Sequence, residues 1–186
     1  MSEITTEQLG ELIAQGKTGR VTRELLQVFL QNPQSVNGQP SKYTVSVDYG
    51  KSVKEMVAAG RYDWSNDDIN DTNFKVNGNG VVTIDLELVH LNKTASSEDV
   101  LSYFEQNGLR PATLAELLAF GATYPEIQRE FPIVCVDKET SSWVGPGGYR
   151  NVPYLSRCVS GRGLGLCWFG GGWGGVCRFL AVRKSA

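Results

Sequence analysis

Large and polar side chains alternate from Tyr43 to Tyr49, with Tyr43, Val45, Val47 and Tyr49 set against Thr44, Ser46 and Asp48. A period of two predicts a strand with one buried face. The pattern returns at Val82, Ile84, Leu86 and Leu88, after the turn signal Asn77-Gly78-Asn79-Gly80. It returns again at Leu164, Leu166 and Trp168, where the intervening residues are Gly163, Gly165 and Cys167. Ile133 to Val136 is a short continuous apolar run and suits a central strand. Ser142-Trp143-Val144, the turn Gly145-Pro146-Gly147-Gly148, the segment Tyr149 to Leu155 and the apolar end Phe179 to Val182 complete a set of short strands and loops.

Helical periods separate these strands. Ser52-Val-Lys-Glu55 and Thr113-Leu-Ala-Glu116 are capping boxes, and Ser96-Ser-Glu-Asp99 caps a helix carrying Val100, Leu101 and Phe104. Leu114, Leu117, Leu118 and Phe120 make the helix after Thr113 strongly apolar, which predicts a core element. Two further helices are expected between Thr5 and Leu30, ending at Asn32-Pro33. The expected class is therefore α+β, with an N-terminal helical extension over residues 1–40 and one domain over 41–186.

Charge is unevenly spread. All 20 acidic residues lie at or before Glu139 against 12 basic ones, a balance of −8, while the rest of the chain holds six bases and no acid, a balance of +6. Such asymmetry suits either a distinct C-terminal surface or arginines that pair with acids of the first half. The N-terminus lacks the basic and apolar regions of a signal peptide, and no apolar run approaches bilayer length. A virion-associated or cytoplasmic protein, not inserted in a membrane, is expected.

Catalytic chemistry finds little footing. Cys135, Cys158, Cys167 and Cys177 have no Cys-x-x-Cys spacing, and His90, the one histidine, closes an apolar strand and reads as structural. Asp63 to Asp68 lacks the spacing of a calcium loop, and Asp85 with Glu87 reads as a solvent face. Gly170 to Gly175 is not followed by the Lys-Ser/Thr and helix of a phosphate loop. No enzyme activity, cofactor or metal is expected. Arginines, glycines and aromatics interleave from Arg150 to Arg183, which keeps single-stranded nucleic-acid binding as the alternative function.

Five motifs suggest a relationship: Gly60-Arg-Tyr-Asp-Trp64; Leu109-Arg-Pro-Ala-Thr-Leu-Ala-Glu-Leu-Leu-Ala-Phe120 with Tyr124-Pro125; Arg129-Glu-Phe-Pro-Ile-Val134; Val152-Pro-Tyr-Leu155; and Arg178-Phe-Leu-Ala-Val-Arg-Lys184. From about Tyr43 to Lys184 the chain resembles variable proteins of diversity-generating retroelements, of the kind found in archaeal viruses and minimal-genome prokaryotes. That resemblance implies a C-type lectin-like fold. It also implies a C-terminal cassette, about residues 150–178, rewritten by a reverse transcriptase that misreads template adenines and diversified to bind varying protein or other macromolecular targets. The Glu-Pro-Asn, Gln-Pro-Asp and Trp-Asn-Asp motifs of calcium-dependent sugar-binding lectins are absent.

The resemblance divides the C-terminal stretch into two sets. Leu164, Leu166, Trp168, Trp173, Arg178 and Phe179 are the expected framework. Arg157, Cys158, Ser160, Gly163, Gly165, Cys167, Phe169, Gly170, Gly171, Gly172, Gly174, Gly175, Val176 and Cys177 are the expected ligand-binding surface. Changing the first two adenines of an asparagine codon yields Gly, Cys, Val, Phe, Arg, Ser, Asp or Leu but never Trp, Lys, Glu, Gln or Met, and the second set between Gly163 and Cys177 contains only reachable residues. Phe169, Arg157 and the cysteines are expected to carry most contact energy, because glycine offers no side chain.

Overall fold

The computed structural model describes residues 42–159 and 161–184, so the helices expected between Thr5 and Leu30, and Ser160, lie outside the described residues. Among the described residues nine strands form one mixed sheet with four helices, an α+β architecture. The strands are β1 (Tyr43–Asp48), β2 (Trp64–Ser65), β3 (Val81–Val89), β4 (Leu109–Pro111), β5 (Ile133–Val134), β6 (Trp143–Val144), β7 (Arg150–Cys158), β8 (Gly161–Trp168) and β9 (Arg178–Arg183). The helices are α1 (Val53–Gly60), α2 (Ser97–Gln106), α3 (Leu114–Thr123) and α4 (Ile127–Glu130). The sheet runs β1-β3-β9-β5-β7-β8-β2, with β4 beside β9 and β6 beside β7.

The three capping boxes form as expected. Ser52, Ser96 and Thr113 each accept from the backbone of the residue three positions on, and that residue's carboxylate returns the bond. The hydrogen-bonded carboxylates of Glu55 and Asp99 are held below their ordinary range, because each accepts from the cap backbone and then from the cap hydroxyl. α3 is buried along most of its length and brings Glu116 into the core with it. Arg110 donates to both Glu116 carboxylate oxygens, at 2.7 and 2.9 Å, and the Tyr49 hydroxyl and the Thr113 amide supply two more bonds. A buried carboxylate is tolerated only when its acceptor sites are filled in this way.

The sheet separates two apolar clusters. One, with α1 and α3, gathers Tyr43, Val45, Val47, Leu86, Leu117, Phe120, Ile133, Leu155, Leu164 and Leu180. The other, with α2, gathers Val89, Val100, Phe104, Val134, Val152, Phe169, Trp173 and Phe179. The expected central strand at Ile133 pairs for only two residues, yet it is central: β5 lies between β9, in parallel, and β7, antiparallel. Within the stretch Asp63 to Asp68, Trp64–Ser65 forms a short edge strand that pairs in parallel with Gly163 and Leu164 of β8.

Arg162 ties that edge together. Its side chain is buried, and its guanidinium donates to the Gly60, Gly121 and Gln128 oxygens, while its backbone amide donates to Asp63 Oδ2 at 2.6 Å. Gly161, which precedes it, has φ +136, and a Cβ there would stand 2.2 Å from the same Asp63 oxygen. Only glycine fits that corner.

Candidate functional site

β8 ends at Trp168 and β9 begins at Arg178, and the loop between them holds five of the expected surface glycines. Glycine-rich backbone carries a large entropy cost when ordered. Here a set of fixed partners holds it. The Phe169 amide donates to Arg150 O at 2.8 Å, and Trp173 exchanges backbone bonds with Ala95 at 2.8 and 3.1 Å. The Trp173 indole Nε1 donates to Ser97 Oγ at 2.8 Å, and that hydroxyl donates to Phe169 O at 2.5 Å. His90 Nε2 lies 2.7 Å from Gly175 O. A carbonyl only accepts, so this contact takes the tautomer with its proton on Nε2 and ties His90 to the loop backbone.

Space around each glycine decides what the loop can display. A Cβ at Gly174 meets nothing within 4 Å, and at Gly172 and Gly175 it makes only ordinary contacts. Gly171 is tighter, 3.3 Å from Trp168 O. None of these glycines has positive φ, so L-residues are compatible with the backbone. Val176 and Cys167 are already exposed. Cys177 is half-buried, and burial raises its thiol pKa above the ordinary value. The displayed positions are therefore Cys167, Gly172, Gly174, Gly175 and Val176, with Gly171 and Cys177 at their margin.

Several expected assignments are corrected. Phe169 is buried with Trp173 and Phe179 instead of being displayed, because the α2 side of the sheet is packed at that point. Gly163 and Gly165 are also buried. Gly165 lies beneath the Tyr154 ring, 2.7 Å from where its Cβ would be, so a side chain there must displace Tyr154, whereas Gly163 has ordinary clearance beside Cys158. Gly170 is exposed, but its Cβ would meet the Trp168 indole at 2.8 Å.

Among framework residues, Leu164, Trp173 and Phe179 are buried, Leu166 is half-buried, and Arg178 sits with its guanidinium 4.4 Å from the Phe131 ring centroid. Trp168 departs from expectation with half of its surface exposed. Alternation puts it on the same face as Leu164 and Leu166, but the apolar cluster beneath that face stops before it.

The surface set also divides in space. Arg157 and Cys158 stand at the far end of the β7–β8 hairpin, since Cys158 opposes Gly161 while Asn151 opposes Trp168. At about 3.4 Å per residue the two ends are about 24 Å apart. Arg157 is exposed and Cys158 half-buried, and neither joins the 169–177 loop in one patch.

The basic C-terminal residues are largely engaged within the fold. Arg183 donates two hydrogen bonds to the Glu87 carboxylate, Lys184 pairs with Glu105, Arg150 donates to Lys138 O and Ser142 Oγ, and Arg162 is buried. Among the described residues no cluster of His, Cys, Asp and Glu is placed to hold a metal ion, and no helix is long and apolar enough to cross a membrane. Ser97, Ala95 and Tyr149 are the residues the sequence pattern missed. Ser97 reads there as part of a helix cap, and nothing local signals that its hydroxyl reaches a tryptophan in the last strand region. No family model, curated protein or solved structure matches the chain.

Proposed function

We propose that this chain is a non-enzymatic display domain of C-type lectin-like fold, a variable protein of a diversity-generating retroelement. Its 169–177 loop, with Cys167, recognises protein or other macromolecular targets. One observation carries the reading: the open positions of the loop hold only residues reachable from adenine changes in an asparagine codon, while Trp168 before the loop and Trp173 within it lie outside that set. Trp173 is the loop's buried anchor. A site whose backbone is held by buried partners tolerates change on its open side, because substitutions there disturb no packing.

The displayed surface is smaller than the cassette as a whole and excludes Phe169. In this copy Val176 and the Cys167 side chain are the main contact groups, with backbone amides and carbonyls between them. A library randomised at 167, 172, 174, 175 and 176, selected against unrelated folded proteins, tests the reading. Specific binders that keep the parent melting temperature are the expected result. A library that yields only unfolded or non-binding members overturns it.

A further inference from the structure

A second recognition feature lies on the opposite face from the Cys167 side chain. Cross-strand pairing sets Trp143, Asn151 and Trp168 in a single row over β6, β7 and β8. The Gly145–Gly148 turn, closed by the Gly148 amide on Gly145 O at 2.9 Å, carries Pro146 and leads into Tyr149. The Tyr149 ring stands edge-on to the Trp168 indole, with centroids 5.5 Å apart and planes at 76°. Together these side chains line an open pocket of about 450 Å³. That volume lies within the usual range for a specific site, about 300–1,000 Å³.

Its chemistry narrows the occupant. No lining residue is charged, and the Arg150 side chain is turned to Lys138 O and Ser142 Oγ. A phosphate would find no counter-charge, and a quaternary cation, which aromatic faces hold without one, would leave the pocket's hydrogen-bond donors unused. The polar groups are mainly donors: the indole N–H groups of Trp143 and Trp168 and the Tyr149 hydroxyl have no partner among the described residues, and Asn151 has already placed its amide N–H on Tyr149 O. Sugars present hydroxyls that need donors and acceptors in alternation. A polyproline II segment presents apolar rings together with backbone carbonyls that have no internal partners, and its prolines have no N–H to satisfy.

We infer that the Trp143–Tyr149–Trp168 pocket is a docking site for a proline-rich segment of a partner protein, with prolyl rings between the aromatic faces and carbonyls on the indole and phenol donors. This is the mode by which aromatic-lined grooves read extended proline sequences. None of the pocket's residues belongs to the displayed set, and the inference stands whether or not the loop is diversified.

The test is a titration of the full chain with a synthetic oligoproline, followed by tryptophan fluorescence and calorimetry. Saturable binding is expected, weakened about tenfold or more by either Tyr149→Ala or Trp168→Leu, the scale of an aromatic anchor. Both side chains are half-exposed or more, so circular dichroism should be unchanged. Substituting alanine for proline in the peptide should abolish binding. No saturation, equal binding of the alanine peptide, or binding unaffected by both variants overturns the inference. So does a pocket that takes a methyl glycoside or a nucleotide, by the same fluorescence change, in place of the peptide.

Discussion

The Trp173 indole donates to Ser97 Oγ at 2.8 Å, across 76 residues of sequence, and through that hydroxyl is joined to the carbonyl of Phe169. Both ends of the Gly170–Gly172 run are thereby tied to the start of α2. Replacing Ser97 with alanine leaves a buried N–H and a buried carbonyl without this partner. The expected cost is about 1–3 kcal/mol, read as a lower denaturation midpoint at unchanged slope. Faster amide exchange in the loop should accompany it.

Glycines of β8 and of the loop should separate by stability. Gly172→Ser and Gly174→Ser are expected to change stability by no more than about 0.5 kcal/mol, since a Cβ meets only an ordinary contact at the first and nothing within 4 Å at the second. Gly165→Ser must push the Tyr154 ring aside and should cost about 1–3 kcal/mol. Gly170→Ser should cost less than Gly165→Ser, because the half-exposed Trp168 indole can turn away, and it should shift the tryptophan emission. Chemical denaturation of the four variants measures the order.

Much of the scaffold was legible in the sequence. The capping boxes at Ser52, Ser96 and Thr113 and the strands at Tyr43 and Val82 follow from local rules, since caps and side-chain alternation are properties of neighbouring residues. The candidate site was legible only in part. Alternation tells which face of β8 a residue takes but not how far the layer above that face extends, and this is why Trp168 emerges into solvent while Phe169 is buried. The pairing of Trp64 with Gly163, the burial of Arg162 and the tie between Ser97 and Trp173 each join residues far apart in the chain, and a local pattern carries no signal for them.

Alkaline pH should destabilise the fold. Burial, and next the charge of Glu116, push the Tyr49 phenol up to about 12. Burial likewise raises the Tyr62 phenol and the Cys135 thiol. Each raised group stays neutral in the fold where the unfolded chain ionises. Its stabilisation is complete below the ordinary thiol and phenol values, about 9 and 10, and is lost as pH rises from there toward the folded values. Melting temperature should be flat near neutrality and fall above about pH 9, and Tyr49→Phe should flatten part of the fall. A melting temperature that holds or rises there would contradict this.

Thiol labelling should follow exposure. Cys167 is exposed, Cys158 and Cys177 are half-buried, and Cys135 is buried with its thiol on Ala112 O at 2.8 Å. A small alkylating reagent on the native protein should modify Cys167 first and Cys135 last, as peptide mass mapping would show. Early modification of Cys135 would mean that the core beneath α3 opens readily.

The claim that the loop is a rewritten display surface is tested most directly in the DNA. Sequencing the region that flanks the gene should reveal a reverse transcriptase gene and a near-copy of the segment encoding about residues 150–178. Differences between the two should fall at template adenines and concentrate in the codons for Cys167, Gly172, Gly174, Gly175 and Val176, with Trp168 and Trp173 unchanged. The absence of a near-copy, or differences at sites that are not adenine in the template, would contradict the account.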